Sequence, residues 1–366
     1  MEFRFSEEQT MLRELAREIL EGEVSPERLK EVEARGDWFD RELWGKLAEA
    51  NLLGLTVPEA MGGMGMGFLE LCVLLQEVGR AVAPLPVFPT LVTGGLAIAR
   101  FGSEAQQQRW LAPMANGECV LTGAFGPGEV ATAEPSGDGW RLDGSFRNVP
   151  AVHLAQRILV PAQTPEGKAV FLVDPEAEGV SQVRALTSRK EPVFEVTLAG
   201  APAGDDEVLE CDGIGAWIAE RACVALAALQ CGVSERALEI TTDYVKQREQ
   251  FGAPLGALPA VQHRCADAYI DLEAMQWVMW SAAWKLATDR PAARDALIAK
   301  FWAADAGSRI ATATQHLHGG MGVDLDYPIH RYFLWTKTLE LAHGSATRKL
   351  VELGRDMARS GPQELA

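Results

Sequence analysis

Near the C-terminus, the stretch from Thr314 to Arg348 reads TQHLHGGMGVDLDYPIHRYFLWTKTLELAHGSATR and concentrates residue types that can do chemistry. Its first half sets His316, His318, Gly319, Gly320 and Gly322 at the end of a helical run, where missing side chains let a ligand approach the backbone closely. That geometry suits a docked cofactor, and an ordinary helix-turn-helix corner would use the same residue types. After a turn at Asp326-Tyr327-Pro328, an amphipathic helix from about Ile329 carries Ala342, His343, Gly344 and Ser345 to a helix end or break, a common place for active-site residues. An imidazole titrates near neutrality, so His343 is a candidate general base; a polar residue ending a helix is the plainer reading. Glu340 and His343 also stand at the Glu-x-x-His spacing of di-iron carboxylate proteins, which need a second such pair and two further helical glutamates. No second Glu-x-x-His occurs in the sequence, and no metal is expected.

The same stretch resembles the flavin-contacting and base-carrying segment of the acyl-CoA dehydrogenase family, which reads as a polar residue plus Gly-Gly-x-Gly, then Tyr-Pro and an Arg, then Glu-Gly-Thr. Gly319-Gly320-Met321-Gly322, Tyr327-Pro328 and Arg331 match, and His343-Gly344-Ser345 falls where Glu-Gly-Thr is expected. A second motif, YVKQREQFG from Tyr244 to Gly252, resembles the family's Arg-x-x-Phe-Gly element, which closes a helix. The resemblance implies FAD as cofactor. It places Arg248 at the pyrophosphate of a neighbouring subunit's FAD and Phe251 beside that cofactor, with Gln250, Gly252, His316, Gly319, Gly320 and Ser345 as further binding residues. A guanidinium pairs bidentately with phosphate, although a favourable charge at the negative end of a helix would also account for Arg248. A glutamine common near the adenine in the family corresponds here to Pro259.

These segments need a scaffold, and the resemblance, which covers essentially the whole chain, implies an α+β multidomain fold. It consists of an N-terminal α-helical domain, a small central antiparallel β domain and a C-terminal four-helix bundle. Local signals place the boundaries at 1–117, 118–212 and 213–366. Ser6 and Gln9 predict a capping box ahead of the apolar positions Met11, Leu12, Leu15 and Ile19, and a later helix holds Trp44, Leu47, Leu52 and Leu53. The glycines from Gly62 to Gly67 follow no strand and miss the G-x-G-x-x-G spacing, so they predict a loop leading into a helix near Phe68 rather than a dinucleotide fingerprint. From about residue 118, short apolar runs (Arg157 to Val160, Ala169 to Val173, Val180 to Val183) alternate with turns expected at Gly137-Asp138-Gly139 and Asp143-Gly144. Family members hold the flavin ring there with a Thr-Glu-Pro loop and an aromatic-x-Thr/Ser clasp. Here the loop reads Gly123-Ala124-Phe125-Gly126-Pro127 and the clasp Asn148-Val149-Pro150, so both depart from the pattern. From Ile214 onward, helical runs to about Gln247, Leu258 to Asp289, Arg294 to His318 and beyond Pro328 predict an antiparallel bundle, with Trp277, Trp280, Trp284 and Trp302 as a buried or interface face.

The reaction implied by the resemblance is α,β-dehydrogenation of an acyl-CoA thioester, in which a glutamate takes the α-proton and a hydride passes to the flavin. Family members carry that glutamate at either of two positions, which here hold His343 and Ala222; Glu220 is about 200° of helix away from the second. The phrases HGGMGVDLDYPIHRYFLW and VPAVHLAQRILVPA further resemble the partner subunits of bacterial heteromeric acyl-CoA dehydrogenases that shorten steroid side chains. Three readings stay open: a homotetramer using His343, a subunit completing the FAD site of a Glu-bearing homologue in an α2β2 assembly, or a flavin-free relative. An electron-transfer flavoprotein is the electron acceptor implied by the family.

Composition limits the partners. The 366 residues are 48% hydrophobic and 23% charged, enough for a sizeable core and several domains. A net charge of -17 argues against nucleic acid or an anionic membrane surface, both of which need basic patches. Apolar uncharged stretches such as Thr90 to Ala99 are shorter than the roughly 20 residues of a spanning helix, and a cytoplasmic protein is expected. Cys72, Cys119, Cys211, Cys223, Cys231 and Cys265 form no C-x-x-C pair, and four of them sit in helix-like apolar settings where buried free thiols are common, so neither a disulfide framework nor a zinc site is indicated.

Overall fold

Ser6 opens the first helix through the capping box its sequence predicts. Its hydroxyl accepts from the Gln9 amide at 3.1 Å while the Gln9 side chain accepts from the Ser6 N–H at 3.0 Å. This helix, α1 (Glu7–Glu23), buries Leu12, Ala16 and Leu20, one residue per turn on a single face. The computed structural model describes residues 4–209 and 213–360, so Cys211 lies outside the described residues. The N-terminal section continues with α2 (Pro26–Arg35), α3 (Arg41–Glu49), α4 (Phe68–Ala81), α5 (Leu96–Phe101) and α6 (Glu104–Ala115). The glycine run is a loop ending at α4, as its composition predicts. Ahead of α5, Phe88–Gly95 forms a π-helical stretch that the sequence did not signal. Two glycines allow it to pack: a Cβ on Gly94 would lie 2.5 Å from Leu121, and one on Gly95 2.7 Å from Met114.

The strands are β1 (Leu121–Gly123), β2 (Ala131–Pro135), β3 (Gly139–Pro150), β4 (Arg157–Thr164), β5 (Gly167–Val173), β6 (Val180–Leu186), β7 (Pro192–Gly204) and β8 (Val208–Leu209). They form one sheet in the order β6-β7-β3-β2-β4-β5-β8, with β1 on β4. Pairing is antiparallel except that β4 runs parallel to β1 and β2. Asp143-Gly144 is not a turn. It lies inside β3 at a register shift, where the Asp143 carboxylate accepts from the Gly200 amide at 2.9 Å and so satisfies a bulge. Leu142, Phe146, Val160, Phe171 and Val196 form the core of this section.

The C-terminal section comprises α7 (Ile214–Gln247), a short hairpin of β9 (Glu249–Gln250) and β10 (Ala253–Pro254), then α8 (Pro259–Ala287), α9 (Ala293–Leu317), α10 (Ile329–Leu341) and α11 (Ala346–Ser360). α9 packs against α8, α10 and α11, and its buried Ala299, Ala303, Ala304, Ala306 and Gly307 allow close approach. Of the two expectations for the tryptophans, a filled bundle core is corrected: Trp277 is 52% exposed, and Trp280, Trp284 and Trp302 are half-buried. Their indoles sit at the edge of the bundle, Trp280 edge-on to Phe5 and Trp284 beneath the Arg290 guanidinium, because alanines fill the interhelical space instead. α7 is long and apolar enough to cross a membrane by length and composition, yet 72% of its most apolar window is buried. Cys72, Cys119, Cys223 and Cys231 are buried free thiols and Cys265 is a half-buried one.

The chain divides into two compact units. One takes the residues up to Lys30, Cys72–Ala83 and those from Cys223 onward; the other takes Glu31–Leu71 and Pro84–Ala222. Within the first, α4 crosses α7 so closely that a Cβ on Gly232 would lie 1.8 Å from the Gln76 carbonyl oxygen, and one on Gly79 2.1 Å from that of Leu229. The buried charges around this crossing are paired, Arg17 with Glu77 at 2.8 Å and Arg80 with Glu239 at 2.9 Å.

Candidate functional site

Arg248 follows the last residue of α7, and its amide still donates to the Tyr244 carbonyl at 2.8 Å. Its own carbonyl accepts from Leu255 at 2.8 Å and closes the β9–β10 hairpin. Phe251 (φ 55°) and Gly252 (φ 81°) make the two-residue turn, both in the left-handed conformation of a type I′ hairpin. The result is a small rigid finger. Its tip, Phe251, is 91% exposed, and among the described residues the Arg248 guanidinium pairs with no carboxylate. The Gln250 side chain donates to the Glu249 carbonyl at 2.8 Å.

The glycines after α9 play distinct parts. Gly319 has φ 57°, which favours glycine, and Gly322 lies so close to the Gln315 carbonyl oxygen that a Cβ would stand 2.5 Å from it. Gly320 needs neither: a Cβ there would meet nothing within 4 Å, so nothing in the chain itself requires a glycine. Open backbone of this kind is what a ligand in close contact would use. His316 is exposed, with its Nδ1 in hydrogen-bond contact with the Arg264 guanidinium. Sequence reasoning did not foresee that Tyr244, His318 and Tyr327 meet here. Tyr244 stacks on His318 with centroids 4.4 Å apart, and the Tyr327 hydroxyl lies 3.3 Å from His318 Nε2. The only advance signal was the four-residue spacing of Tyr244 and Arg248.

At the α10–α11 break, His343 has φ 52° and Gly344 φ 105°. Ser345 Oγ accepts from the Arg348 amide at 3.5 Å, so this hydroxyl serves the start of α11. The ammonium of Lys300, 0% exposed, donates to the carbonyls of Leu339 at 3.0 Å and Glu340 at 3.2 Å, capping the end of α10 from inside the bundle. Lys349 is also buried and pairs with Glu352 at 2.8 Å. His343, half-buried, lies in the field of both lysines. Burial first, and then these two cations, pull its pKa down from 6.5 to about 4. Burial and Lys349 likewise lower that of Lys300 to about 8. Glu340 of the Glu-x-x-His spacing is engaged by Lys337 at 2.9 Å, and among the described residues no group of three or more His, Cys, Asp or Glu could hold a metal ion.

In the other unit, Ala222 is fully buried, and Glu220 is half-buried with its pKa raised by burial against the pull of Arg221. Phe125 is buried, and its ring folds back over Gly123, where a Cβ would stand 2.5 Å from it. Glu129 covers the same loop, its carboxylate accepting from the Arg147 amide at 3.2 Å. In the clasp, Asn148 takes φ 54° and Val149 is buried. The first loop presents no aromatic face, because Phe125 is spent on internal packing, and the clasp residues Asn148-Val149-Pro150 carry neither an aromatic ring nor a hydroxyl. A groove of about 450 Å³ along α8 and α9 is lined by ion pairs such as Arg309 with Asp271 and by Glu340, but by neither His343 nor any of the expected FAD-binding residues.

Comparison with known proteins accords with this layout. Residues 6–118 match the N-terminal domain of acyl-CoA dehydrogenases and residues 218–357 the C-terminal domain. Acyl-CoA dehydrogenase FadE27 of Mycobacterium tuberculosis is 37% identical over 372 residues, covering 98% of this chain and 100% of its own. Two solved structures are similar throughout. A variant of the Tcur3481-Tcur3483 steroid acyl-CoA dehydrogenase has a TM-score of 0.91 at 44% identity, covering 96% of this chain and 98% of the other. The ChsE4-ChsE5 complex from Mycobacterium tuberculosis has a TM-score of 0.95 at 38% identity, covering 99% and 100%. With both family domains matched and a full-length relative above 30% identity, the chain belongs to the acyl-CoA dehydrogenase family, oxidoreductases that act on the CH–CH bond of acyl-CoA thioesters.

Proposed function

We propose that this chain is the subunit of a heteromeric α2β2 acyl-CoA dehydrogenase that completes an FAD site, while a Glu-bearing homologous partner supplies the catalytic base. The observation that carries the reading is the setting of His343. Taking an α-proton from an acyl-CoA would make it a third cation beside Lys300 and Lys349, and a base with a pKa of about 4 is a weak acceptor at neutral pH. Ala222, at the other base position, has no acid-base group. A self-sufficient dehydrogenase therefore lacks its proton acceptor in both places.

The cofactor-facing residues favour a site shared with another subunit. Arg248 and the open backbone at Gly319-Gly320 fit the phosphates of a dinucleotide, and the exposed Phe251 suits a surface that another chain covers. The chain's own β-section loops fit a flavin ring poorly, since Phe125 and Glu129 close them. When bound, FAD supplies the hydride acceptor; this chain's part is to bind and orient through Arg248, Gln250, Phe251, Gly252, His316, Gly319, Gly320 and Ser345. The likeness to steroid acyl-CoA dehydrogenases supports a steroid-linked acyl-CoA as substrate. A cytoplasmic assembly that passes electrons to an electron-transfer flavoprotein completes the reading.

The test is the visible spectrum and FAD stoichiometry of the chain purified alone and with a co-expressed Glu-bearing homologue. Alone, it should carry sub-stoichiometric FAD that acyl-CoAs do not bleach; the pair should be yellow and bleach anaerobically. A full flavin complement that bleaches in the single chain would overturn the proposal. In the active pair, His343→Asn should lower turnover less than about tenfold, against the 10²–10⁴-fold loss typical of a missing general base.

A further inference from the structure

The geometry points to His318 as a positioning residue that fastens the Arg248–Leu255 finger to the Gly319-Gly320 turn, so that two segments far apart in sequence act as one ligand-facing surface. Its ring is 2% exposed and is held from three sides. Nδ1 lies 2.8 Å from the Thr314 carbonyl, which can only accept, so Nδ1 carries the hydrogen. Nε2 is then the acceptor for the Tyr327 hydroxyl at 3.3 Å. The third hold is Tyr244, stacked 4.4 Å away with planes tilted by 26°, while Tyr327 meets Tyr244 edge-on at 6.1 Å.

This cluster sits at a mechanical junction. Tyr244 is one turn ahead of Arg248 and accepts its amide, so the stacked ring fixes the last turn of α7 from which the finger springs. Gly319 follows His318 directly, so the same ring fixes the start of the glycine turn. Tyr327 ties in the loop ahead of α10. A short aliphatic side chain at 318 would lose both hydrogen bonds and the stack, leaving the edge-on contact of Tyr244 with Tyr327 to link the base of the finger to this region. Burial also lowers the pKa of His318, which keeps the ring in the neutral form this arrangement requires.

The inference rests on the proposed FAD site for its purpose but not for its first measurement. In the chain without flavin, hydrogen exchange of the amides from Glu249 to Leu255 should rise about tenfold or more in His318→Ala, because exchange follows local opening. His318→Phe, which keeps the stack, should show a smaller rise and guards against loss of folding in the alanine variant. Nitrogen NMR of the His318 ring should report the neutral Nδ1–H tautomer, and Tyr327→Phe should shift that signature. In the pair with the Glu-bearing partner, the FAD dissociation constant should rise roughly 10–100-fold in His318→Ala, as for other residues that orient a binding group. Unchanged exchange in both variants, or an Nε2–H tautomer, would overturn the clamp. Increased exchange with unchanged FAD affinity would uphold the clamp and overturn the shared-FAD reading instead.

Discussion

The buried ammonium of Lys300 has two acceptors and no carboxylate among its hydrogen-bond partners, so desolvation lowers its pKa from 10.5 to about 8. Between pH 8 and 10.5 the unfolded chain binds a proton that the folded chain has released, so this site makes stability rise with pH across that window. Lys300→Met should flatten the rise in urea unfolding. It should also lower stability at pH 7 by about 1–3 kcal/mol, since the Leu339 and Glu340 carbonyls lose their buried donor. His343 gives the matching acid limb. Its folded pKa of about 4 lies below the ordinary 6.5, so its contribution is intact above 6.5 and lost as pH falls towards 4. His343→Asn, which tolerates the left-handed backbone, should shrink that loss in the same titration. Neither effect is visible in a list of residue types, because each depends on which cations the fold brings beside the ring.

Elements meet at glycines here, and the role of each glycine sets the outcome of replacing it. Gly232→Ala would drive a Cβ to 1.8 Å from a backbone oxygen of α4, an obstacle that only a shift of the whole helix relieves. A loss of about 1–3 kcal/mol is expected by thermal or urea unfolding. Gly320→Ala meets open space, so the melting temperature of the free chain should hold while FAD affinity in the pair falls. The finger behaves in the same two-sided way. Phe251→Ala removes a side chain that is 91% exposed and should leave the free chain's stability within about 0.5 kcal/mol, yet weaken association with the partner in a binding titration. Much of this level was legible beforehand. The Ser6 cap, the end of α7 at Gln247 and the break at His343-Gly344 all follow from local chemistry. The Phe88–Gly95 π-helix was not, since its buried apolar run carries no period of its own.

For the whole molecule, the sharpest expectation is stoichiometric. A co-purified pair should run as an α2β2 assembly by light scattering with fewer flavins than chains, since only some sites combine a Glu with a ring-gripping β section. One flavin per chain in an active homotetramer would contradict it. The charge of -17 adds a condition: the two copies of this chain in the assembly repel each other at low ionic strength, so their association should tighten as salt is raised toward physiological levels.

Sequence by itself determined the family resemblance, the order of helices and strands, and the absence of a glutamate at the two positions where the resemblance expects the base, because these depend on residue identity and short-range spacing. The tertiary structure decided what surrounds His343, which falls at one of them. Lys300, His343 and Lys349 are scattered over three segments, and only the packing of α9 against α10 and α11 gathers them and depresses the imidazole pKa. It likewise decided that Tyr244 touches His318 and that the tryptophans border the bundle rather than fill it. The physical reason is the same throughout. Desolvation, stacking and the field of a neighbouring charge act across distances set by the fold, and neither composition nor periodicity encodes those distances.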